Sequence, residues 1–372
     1  MAKVDIWLII GGRRWAQVLA IELCSLLPSN EEIHIIKDND TENSTDWLNV
    51  DSLKNRVKIV KNPTPCQIGT VGVAFIINSA YLHKSTIQSV LSLGYNVIAE
   101  KPLTFSFKES IQQLNLASKF GLRIFTTNTY QFASYLTTFK EKYLHENKIN
   151  EIYINWSDNA GKIRYGQIKK FDSSVPIIFD VIPHIASIIF SILGEISLNS
   201  ADLTFYKGGS KVKLKFRSNN LIIHADISRN SKTRARILKV TNETTEFKLD
   251  FTEEPGIVTI NNSEKTCADN KWSLKRKPIA EMLNSVLMFF KKNKIDSRLL
   301  PDSALLGNIM IDLVVESYVM HQIDFIIKNG RTHKQSADIK YAKKEIDSIK
   351  KRTLKFLCND SPLQDFSSID SS

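Results

Sequence analysis

The feature that most restricts how this sequence can fold is the alternation of short apolar runs with helix-like segments across residues 1–127. Several runs are apolar without interruption, as expected for parallel strands that are covered on both faces. The runs are VDIWLII, EIHII, VKIV, VGVAFII, YNVIA and LRIFT, and helices are expected over 14–27, 84–93 and 107–120. Strands regularly separated by helices imply right-handed crossovers, so the pattern predicts an α/β, doubly wound parallel sheet.

From residue 128 to residue 330 the pattern changes to that of an α+β domain. Seven segments with strand character follow one another, joined by Asn, Ser and Gly turns. They are EIYINW, DLTFYKG, KVKLKFRS, LIIHADIS, RILKV, EFKLDF and GIVTI. Alternation within KVKLKF and EFKLDF predicts a mainly antiparallel sheet with one wet face, and helices are expected at 135–144, 176–193, 279–293 and roughly 303–327. An exposed sheet face of this kind favours a homodimer or homotetramer.

Residues 331–372 form a third part, a basic C-terminal tail. One amphipathic helix is predicted there, followed by a Ser- and Asp-rich end that cannot pack a core. Its apolar face would consist of Ile339, Ala342, Ile346, Ile349 and Phe356. Peripheral packing is the simplest interpretation of this helix, and docking to a partner is the alternative.

Charge and composition exclude several function classes. The net charge is +11, but residues 331–358 carry nine of the basic residues, and no run of bases with interleaved aromatics marks a nucleic-acid face. The four cysteines show no CxxC pair, so neither a disulfide framework nor a metal site is expected. The longest apolar stretch is interrupted by Asp180, Pro183 and His184, and the first residues lack signal-peptide features, so we expect a cytoplasmic protein without membrane partners.

The first chemical signal is the glycine-bearing turn IIGGRRWAQ between the first strand and the first helix. Such a turn lets the backbone approach a pyrophosphate at a helix N-terminus, where unpaired N–H groups favour negative charge. The turn is degenerate, and a purely structural turn is the competing interpretation. The candidate cofactor-binding residues here are Gly11, Gly12, Arg13, Arg14 and Trp15.

The end of the second strand indicates which dinucleotide is bound. An acidic residue there holds a ribose 2′-hydroxyl, whereas a basic residue suits a 2′-phosphate. Counting from the glycines places Lys37 at this point, followed by Asp38. NADP(H) is therefore favoured and NAD(H) remains possible.

Two distant polar signals lie on apolar elements. Lys101 follows the strand YNVIA and precedes a proline, at the edge of the sheet where ligands bind in open α/β folds. Asp180 and His184 are four residues apart near the start of an apolar helix, so the carboxylate could orient the imidazole. A solvated strand end and a hydrogen-bonded core pair are the alternative interpretations.

Together these motifs resemble the Gfo/Idh/MocA family of nicotinamide-dependent oxidoreductases. Glu100, Lys101 and Pro102 match the EKP motif of that family, and Asp180 and His184 match its Asp-x-x-x-His motif. The segment FIINSAYLHKSTIQSVLSLGYNVIAEKPL is also similar to the family pattern, which implies that Asn78, Ser79, His83 and Glu100 contribute to the cofactor site. The resemblance implies a Rossmann domain and hydride transfer, with His184 exchanging the proton, Asp180 orienting it and Lys101 assisting.

The glycine turn is also similar to that of thiazolinyl imide reductases, and this narrower resemblance makes Tyr130 a candidate acid. Reduction of a C=N and carbonyl chemistry on a sugar or nucleotide sugar therefore both stay open. The substrate would be a small molecule, possibly nucleotide- or carrier-linked. A catalytically silent NAD(P)-binding sensor or structural partner on the same scaffold is the alternative from another class.

Overall fold

The computed structural model of the protein describes residues 4–12, 14–37, 53, 55–144, 148–159, 163–164, 167–168, 175–330, 338–340 and 342–345. A six-stranded, fully parallel sheet occupies the N-terminal part, with the strand order β3-β2-β1-β4-β5-β6. Its strands are β1 (Ile6–Ile10), β2 (Ile33–Ile36), β3 (Val57–Ile59), β4 (Gly72–Ile76), β5 (Tyr95–Ala99) and β6 (Ile124–Thr126). The predicted doubly wound sheet is confirmed.

Helices cover both faces of this sheet, which explains its uninterrupted apolar strands. The helices are α1 (Arg14–Leu26), α2 (His83–Ser92) and α3 (Phe107–Lys119). One core lies beneath α2 and α3, and the other lies beneath α1 together with a helix from much later in the chain, α6 (Pro278–Lys292). Met282, Leu283 and Val286 of α6 are completely buried against this first sheet.

The second sheet has eight strands in the order β10-β11-β12-β7-β13-β14-β15-β16. Only the β12–β7 pair is parallel, so the sheet is mixed and mostly antiparallel, as predicted. The strands are β7 (Glu151–Asn159), β10 (Ser200–Tyr206), β11 (Lys211–Ser218), β12 (Leu221–Ser231), β13 (Ala235–Thr241), β14 (Glu246–Asp250), β15 (Ile257–Ile260) and β16 (Glu264–Cys267). A separate hairpin is formed by β8 (Ile163–Arg164) and β9 (Gln167–Ile168).

Four helices pack on the inner face of the second sheet and enclose the largest core. They are α4 (Ser134–Phe139), α5 (Ile177–Leu193), α7 (Asp302–Asp312) and α8 (Val315–Gly330). The single helix predicted over 303–327 is divided into α7 and α8. Among the described residues no lone helix is long and apolar enough to cross a membrane, and one bent pair (Ser297–Asp312 with Val315–Asn329, 42°) reaches that length and apolarity only when taken together.

Part of the C-terminal tail is helical over 338–340 and 342–345. Ile339 and Ala342, two members of the predicted apolar face, are completely buried. The other three, Ile346, Ile349 and Phe356, lie outside the described residues. The described tail segment is therefore packed onto the protein.

Candidate active site

Lys101 lies just beyond the carboxyl end of β5. The backbone N–H of Glu100 extends the ladder by donating to Ile76 O at 2.8 Å, and the following peptide, Lys101–Pro102, is cis. The ammonium leaves the sheet and reaches α5 of the other half, where Nζ donates to the backbone carbonyl of Asp180 at 2.8 Å and to its Oδ1 at 2.6 Å. The two distant motifs therefore meet at one place.

Asp180 lies between two cations. Its Oδ1 contacts Lys101, and its Oδ2 accepts a hydrogen bond from Arg229 Nη2 at 2.9 Å. Burial by itself would raise the pKa of the Asp180 carboxyl, but Lys101 and Arg229 outweigh it and hold that pKa far below its usual range. The side chain is 34% exposed, whereas that of Arg229 is only 1% exposed. Asp180 is therefore a fixed carboxylate at neutral pH.

His184 lies one turn further along α5 among aromatic rings. Its imidazole stacks on Trp156, with centroids 5.0 Å apart and an interplanar angle of 13°, and it meets the ring of Tyr130 edge-on at 5.5 Å. Burial lowers the pKa of His184 well below its usual value, and the charges of Lys101 and Arg236 lower it further, against the opposing effect of Asp180. The imidazole is therefore neutral at pH 7.

This arrangement differs from the predicted orientation of His184 by Asp180. Both carboxylate oxygens of Asp180 are used by the cations Lys101 and Arg229, because a guanidinium and an ammonium attract the carboxylate more strongly than a neutral ring does. Asp180 acts on His184 only through its charge, and the ring is held by stacking on Trp156. The pKa of His184 is therefore lowered mainly by burial, and the charge of Asp180 offsets that effect only in part.

The side chains of Lys101, Asp180 and His184 line a cavity of about 250 Å³. The other lining residues are Trp15, Glu100, Thr129, Tyr130, Trp156, Asp158, Val181, Arg234 and Arg236. A wider cavity of about 540 Å³ shares Trp15, Thr129, Tyr130 and Arg234 with the first. A ligand could therefore extend from the cavity lined by Lys101, Asp180 and His184 into the wider cavity.

Tyr130 lies after β6, in the short 3₁₀ helix Thr129–Phe132, and lines both cavities. Burial raises the pKa of its phenol, with Arg236 opposing and Glu254 reinforcing the shift. Its ring also contacts Trp156 edge-on, with centroids 5.7 Å apart. Tyr130 therefore lines the cavity beside His184 as a protonated phenol, and its role as an acid stays a prediction.

The sequence reasoning missed the contribution of the second sheet. Trp156 and Arg236 are register partners on β7 and β13, and the Arg236 guanidinium lies 3.7 Å from the Trp156 ring centroid. Arg236 is fixed by Asp158 at 2.5 Å and by the carbonyl of Ser157 at 2.6 Å. The sequence signal was the alternation of inward and outward positions along each strand, since Trp156 continues the inward positions of Ile152 and Ile154.

The glycine turn lies at the predicted place, between β1 and α1. Gly11 has φ +132°, and a Cβ there would lie 2.9 Å from backbone atoms of Ile77 and Asn78, so only glycine permits this approach. Gly12 faces Lys37, whose Cγ would be 3.1 Å from a Cβ. Lys37 directly follows β2, as counted from the sequence, and Arg14 opens α1 with an exposed side chain. Arg13 and Asp38 lie outside the described residues.

Three buried polar atoms along this sheet edge lack hydrogen-bond partners within the described part of the chain. They are Trp15 Nε1, Asn78 Oδ1 and Ser79 Oγ. Trp15 stands beside the glycine turn and lines both cavities, while Asn78 and Ser79 follow β4. Buried polar atoms normally find partners, so this row fits a polar ligand lying across the carboxyl ends of β1 and β4.

Two other predicted cofactor residues have mainly internal contacts. His83 is completely enclosed, and its Nδ1 and Nε2 lie 2.7 Å from Pro102 O and 3.2 Å from Asn78 O, so both ring nitrogens have internal partners, and its contribution to the cofactor site stays a prediction. Burial lowers the pKa of His83. Glu100 lines the smaller cavity but accepts a hydrogen bond from Thr127, and burial raises its pKa against the effects of Lys101 and Thr127.

Fold and site together describe a two-part protein in which a cavity lined by charged and aromatic side chains lies between a Rossmann-type sheet and an α+β part. Residues 7–128 match the family model GFO_IDH_MocA, described as an oxidoreductase family with an NAD-binding Rossmann fold. The matched segment coincides with the parallel-sheet part of the chain, so that part is similar to the NAD-binding Rossmann domain of this family. A comparison with curated protein sequences gives no match.

Solved structures of low identity share the fold over most of their length. GenD2 from gentamicin A biosynthesis, in complex with NAD, is 12% identical with a TM-score of 0.67, covering 86% of this chain and 95% of GenD2. KijD10, a 3-ketoreductase from Actinomadura kijaniata in complex with NADP and TDP-benzene, is 13% identical with a TM-score of 0.64, covering 84% and 98%. Biliverdin reductase from Synechocystis in complex with biliverdin and NADP+ is 12% identical with a TM-score of 0.64, also covering 84% and 98%.

One of these neighbours was solved with NAD and two with NADP, and their likeness to this chain shows the shared fold. The unpartnered atoms beside the glycine turn fit such a dinucleotide. The thiazolinyl imide reductase branch is not confirmed and stays a prediction.

Proposed function

We propose that the protein transfers hydride between a nicotinamide dinucleotide and a C=O or C=N group of a small biosynthetic intermediate. One observation carries the proposal: Lys101 from the first sheet and the pair Asp180 and His184 from α5 line the same cavity, with Lys101 Nζ 2.6 Å from Asp180 Oδ1. If Lys101 were only a solvated strand end, and Asp180 and His184 only a hydrogen-bonded core pair, the three side chains would not be expected to line one cavity. Convergence of an ammonium, a carboxylate and an imidazole is typical of a proton-transfer site.

His184 is the proposed proton-exchanging group. Because its pKa is lowered, the ring is neutral and can accept the proton of a substrate hydroxyl or amine as the carbon loses hydride. The same ring, once protonated, returns the proton in the reductive direction. Trp156 holds the ring plane, so the proton transfer does not require the imidazole to reorient.

Lys101 is the proposed group for holding the substrate heteroatom. Two of its hydrogen bonds go to Asp180, which fixes the direction of the ammonium and leaves one N–H for the cavity. Negative charge develops on the oxygen or nitrogen during reduction, and a fixed ammonium stabilises it. Tyr130 is a second donor on the same cavity wall.

The cofactor, when bound, supplies or accepts the hydride. Residues Gly11, Gly12, Arg14 and Trp15 would hold its pyrophosphate side, and Asn78, Ser79 and Glu100 would border the remainder. We propose NADP(H) as the preferred form, because Lys37 follows β2 at the point where a basic residue suits a 2′-phosphate.

The chemical test is a screen for oxidation of NADPH or NADH with ketosugars, nucleotide sugars and cyclic imines. With a substrate found, His184→Ala and Lys101→Met are each expected to lower kcat/KM by about 10²- to 10⁴-fold, the usual contribution of acid–base groups. Matched controls are His224→Ala and Lys84→Met, whose side chains pair with Glu151 and Glu109 away from the cavity. Dinucleotide binding should persist in all four variants.

The alternative function, a silent dinucleotide-binding protein, predicts the same binding but no turnover. An absence of turnover across all three panels, with tight dinucleotide binding, would favour that alternative. Turnover that survives both His184→Ala and Lys101→Met would show that the reaction occurs elsewhere.

A further inference from the structure

Four charged side chains of alternating sign run from the catalytic cavity to the C-terminal tail. Lys101 contacts Asp180, Asp180 contacts Arg229, and Arg229 Nη1 lies 3.6 Å from Oε1 of Glu345. Arg229 belongs to β12 and Glu345 to the helical tail segment. The last member of this row therefore comes from the tail, a part of the chain outside the motifs that indicate the catalytic site.

Glu345 is completely buried, which is unusual for a carboxylate. Its Oε2 accepts hydrogen bonds from Gln322 Nε2 at 2.7 Å and from the hydroxyl of Tyr318, both on α8. On its other side, Oε1 of Glu345 lies 3.6 Å from Nη1 of Arg229, whose side chain is also buried. A buried charge is costly unless it is paired, so the position of this carboxylate depends on the guanidinium that it faces.

Arg229 has little freedom to leave Asp180. Its Nη1 donates to Val175 O at 2.8 Å, and its Nη2 donates to Asp180 Oδ2 at 2.9 Å. Among the described residues, the guanidinium thus contacts two carboxylates, those of Asp180 and Glu345. Removal of the Glu345 charge would take one of these two carboxylate contacts from Arg229, and Arg229 would then compete more strongly with Lys101 for Asp180.

Two glycines shortly after β10 allow the tail segment to pack closely against the backbone there. Gly208 and Gly209 adopt positive φ angles of 63° and 96°. A Cβ on Gly208 would lie 2.5 Å from the carbonyl oxygen of Asp338, and one on Gly209 would lie 2.6 Å from the hydroxyl of Tyr318. The glycine pair thus leaves space for both the tail segment and the tyrosine that bonds Glu345.

We propose that Glu345 is a positioning residue for the catalytic site, acting through Arg229 and Asp180 to fix the ammonium of Lys101. This inference rests on the proposed function of Lys101 and assigns to the tail a role in the same reaction. Glu345 does not line either cavity among the described residues, so it would not touch the substrate.

The test compares Glu345→Gln with wild type in the full-length protein. Glutamine keeps the size of the side chain and an oxygen for Tyr318 and Gln322, so it removes mainly the charge that faces Arg229. The primary measurement is the rate at which an amine-reactive reagent labels Lys101, followed by mass spectrometry and referred to Lys84 in the same sample. We expect Lys101 labelling to rise roughly three- to tenfold, since one charge-assisted interaction in the row is lost.

Lys344→Gln is the matched control, because it removes a charge from an exposed neighbour on the same helical segment. It should leave Lys101 labelling unchanged. Arg229→Lys is a second variant that keeps the positive charge but shortens the reach, so it weakens the competitor of Lys101 for Asp180 and should lower Lys101 labelling. With a substrate available, Glu345→Gln should lower kcat and alter its pH dependence more than it changes KM.

Lys101 labelling in Glu345→Gln equal to that in wild type would overturn the proposal. If Glu345→Gln does not fold, Glu345→Asp, which keeps the charge but shortens its reach toward Arg229, decides the outcome by the same measurement, and labelling equal to wild type would again overturn the proposal. Labelling does not depend on turnover, so the proposal can fail while the proposed function stands, and the reverse outcome is equally distinguishable.

Discussion

Replacement of Asp180 by asparagine tests the physical basis of the site most directly. The carboxylate is bonded to Lys101 at 2.6 Å and to Arg229 at 2.9 Å, and asparagine removes its charge while keeping its shape. Breaking a buried ion pair costs about 3–5 kcal/mol, whereas an exposed pair contributes about 0–1 kcal/mol. The exposed fractions are 1% for Arg229, 18% for Lys101 and 34% for Asp180, so the Arg229 contact counts as buried and the Lys101 contact as intermediate. We therefore expect Asp180→Asn to lower the free energy of unfolding by about 3 kcal/mol at pH 7.

The pH dependence of this difference provides an independent check. The pKa of Asp180 is lowered in the folded protein, so its contribution is fully present above the unfolded value of about 3.9 and is lost as the pH falls toward the folded pKa. The stability difference between wild type and Asp180→Asn should be constant from pH 7 to pH 5 and smaller by about 1 kcal/mol at pH 3.

Urea titrations followed by tryptophan fluorescence measure both quantities, with Trp156 as a reporter within the cavity. Asp202→Asn is the matched control because Asp202 pairs with Arg217 on the surface, and it should have little effect. An Asp180→Asn protein as stable as wild type, or a difference that grows as the pH falls from 5 to 3, would refute the assignment of Asp180 as a carboxylate held by two cations.

Two further predictions concern the first sheet. Lys37→Asp should weaken NADPH binding relative to NADH by about tenfold, measured from the fluorescence of the reduced nicotinamide, because it removes the charge proposed for the 2′-phosphate; an unchanged ratio would assign the preference elsewhere. Tyr95 donates to Thr64 O at 2.6 Å, and burial, aided by Cys66, raises its pKa to about 12. The stabilising contribution of the Tyr95 hydroxyl should be complete below about pH 10 and lost toward pH 12. The free energy of unfolding of Tyr95→Phe should therefore be about 1 kcal/mol lower than that of wild type at pH 8, and this gap should close above pH 10. A gap that persists at pH 12 would contradict the raised pKa.

Much of the fold follows from local pattern. The six strands of the first sheet are continuously or nearly continuously apolar, and the turn after α3 and the Ser106 cap before it are readable from the sequence. The positions of Lys101, Asp180 and His184 on a strand end and a helix were predicted for the same reason. The ion pair between Lys101 and Asp180 spans 79 residues, and it was anticipated only as a shared crevice suggested by family resemblance.

The contribution of the second sheet to the site depends on register, which local pattern does not give. Arg229, Trp156 and Arg236 lie on the neighbouring strands β12, β7 and β13. Each continues a row of buried inward positions, as Arg229 does after Ile223, Ala225 and Ile227. Because β12 and β7 run parallel and β13 runs the other way, the ends of two strands and the start of the third fall at one edge. A charged residue at an inward position of a strand end was the available signal.

The late helix α6 has a consequence for how the chain acquires its structure. Its apolar side completes a core whose other residues lie mostly between Val4 and Phe132, so the apolar surface of that core stays uncovered until α6 has been synthesised. The half of the protein that contains the first sheet is thus synthesised first, but its core is completed only when α6 is present. A fragment ending at residue 127 would expose the apolar surface that α6 normally covers and would be prone to aggregate. Co-expression with the remainder of the polypeptide would be needed to cover that surface.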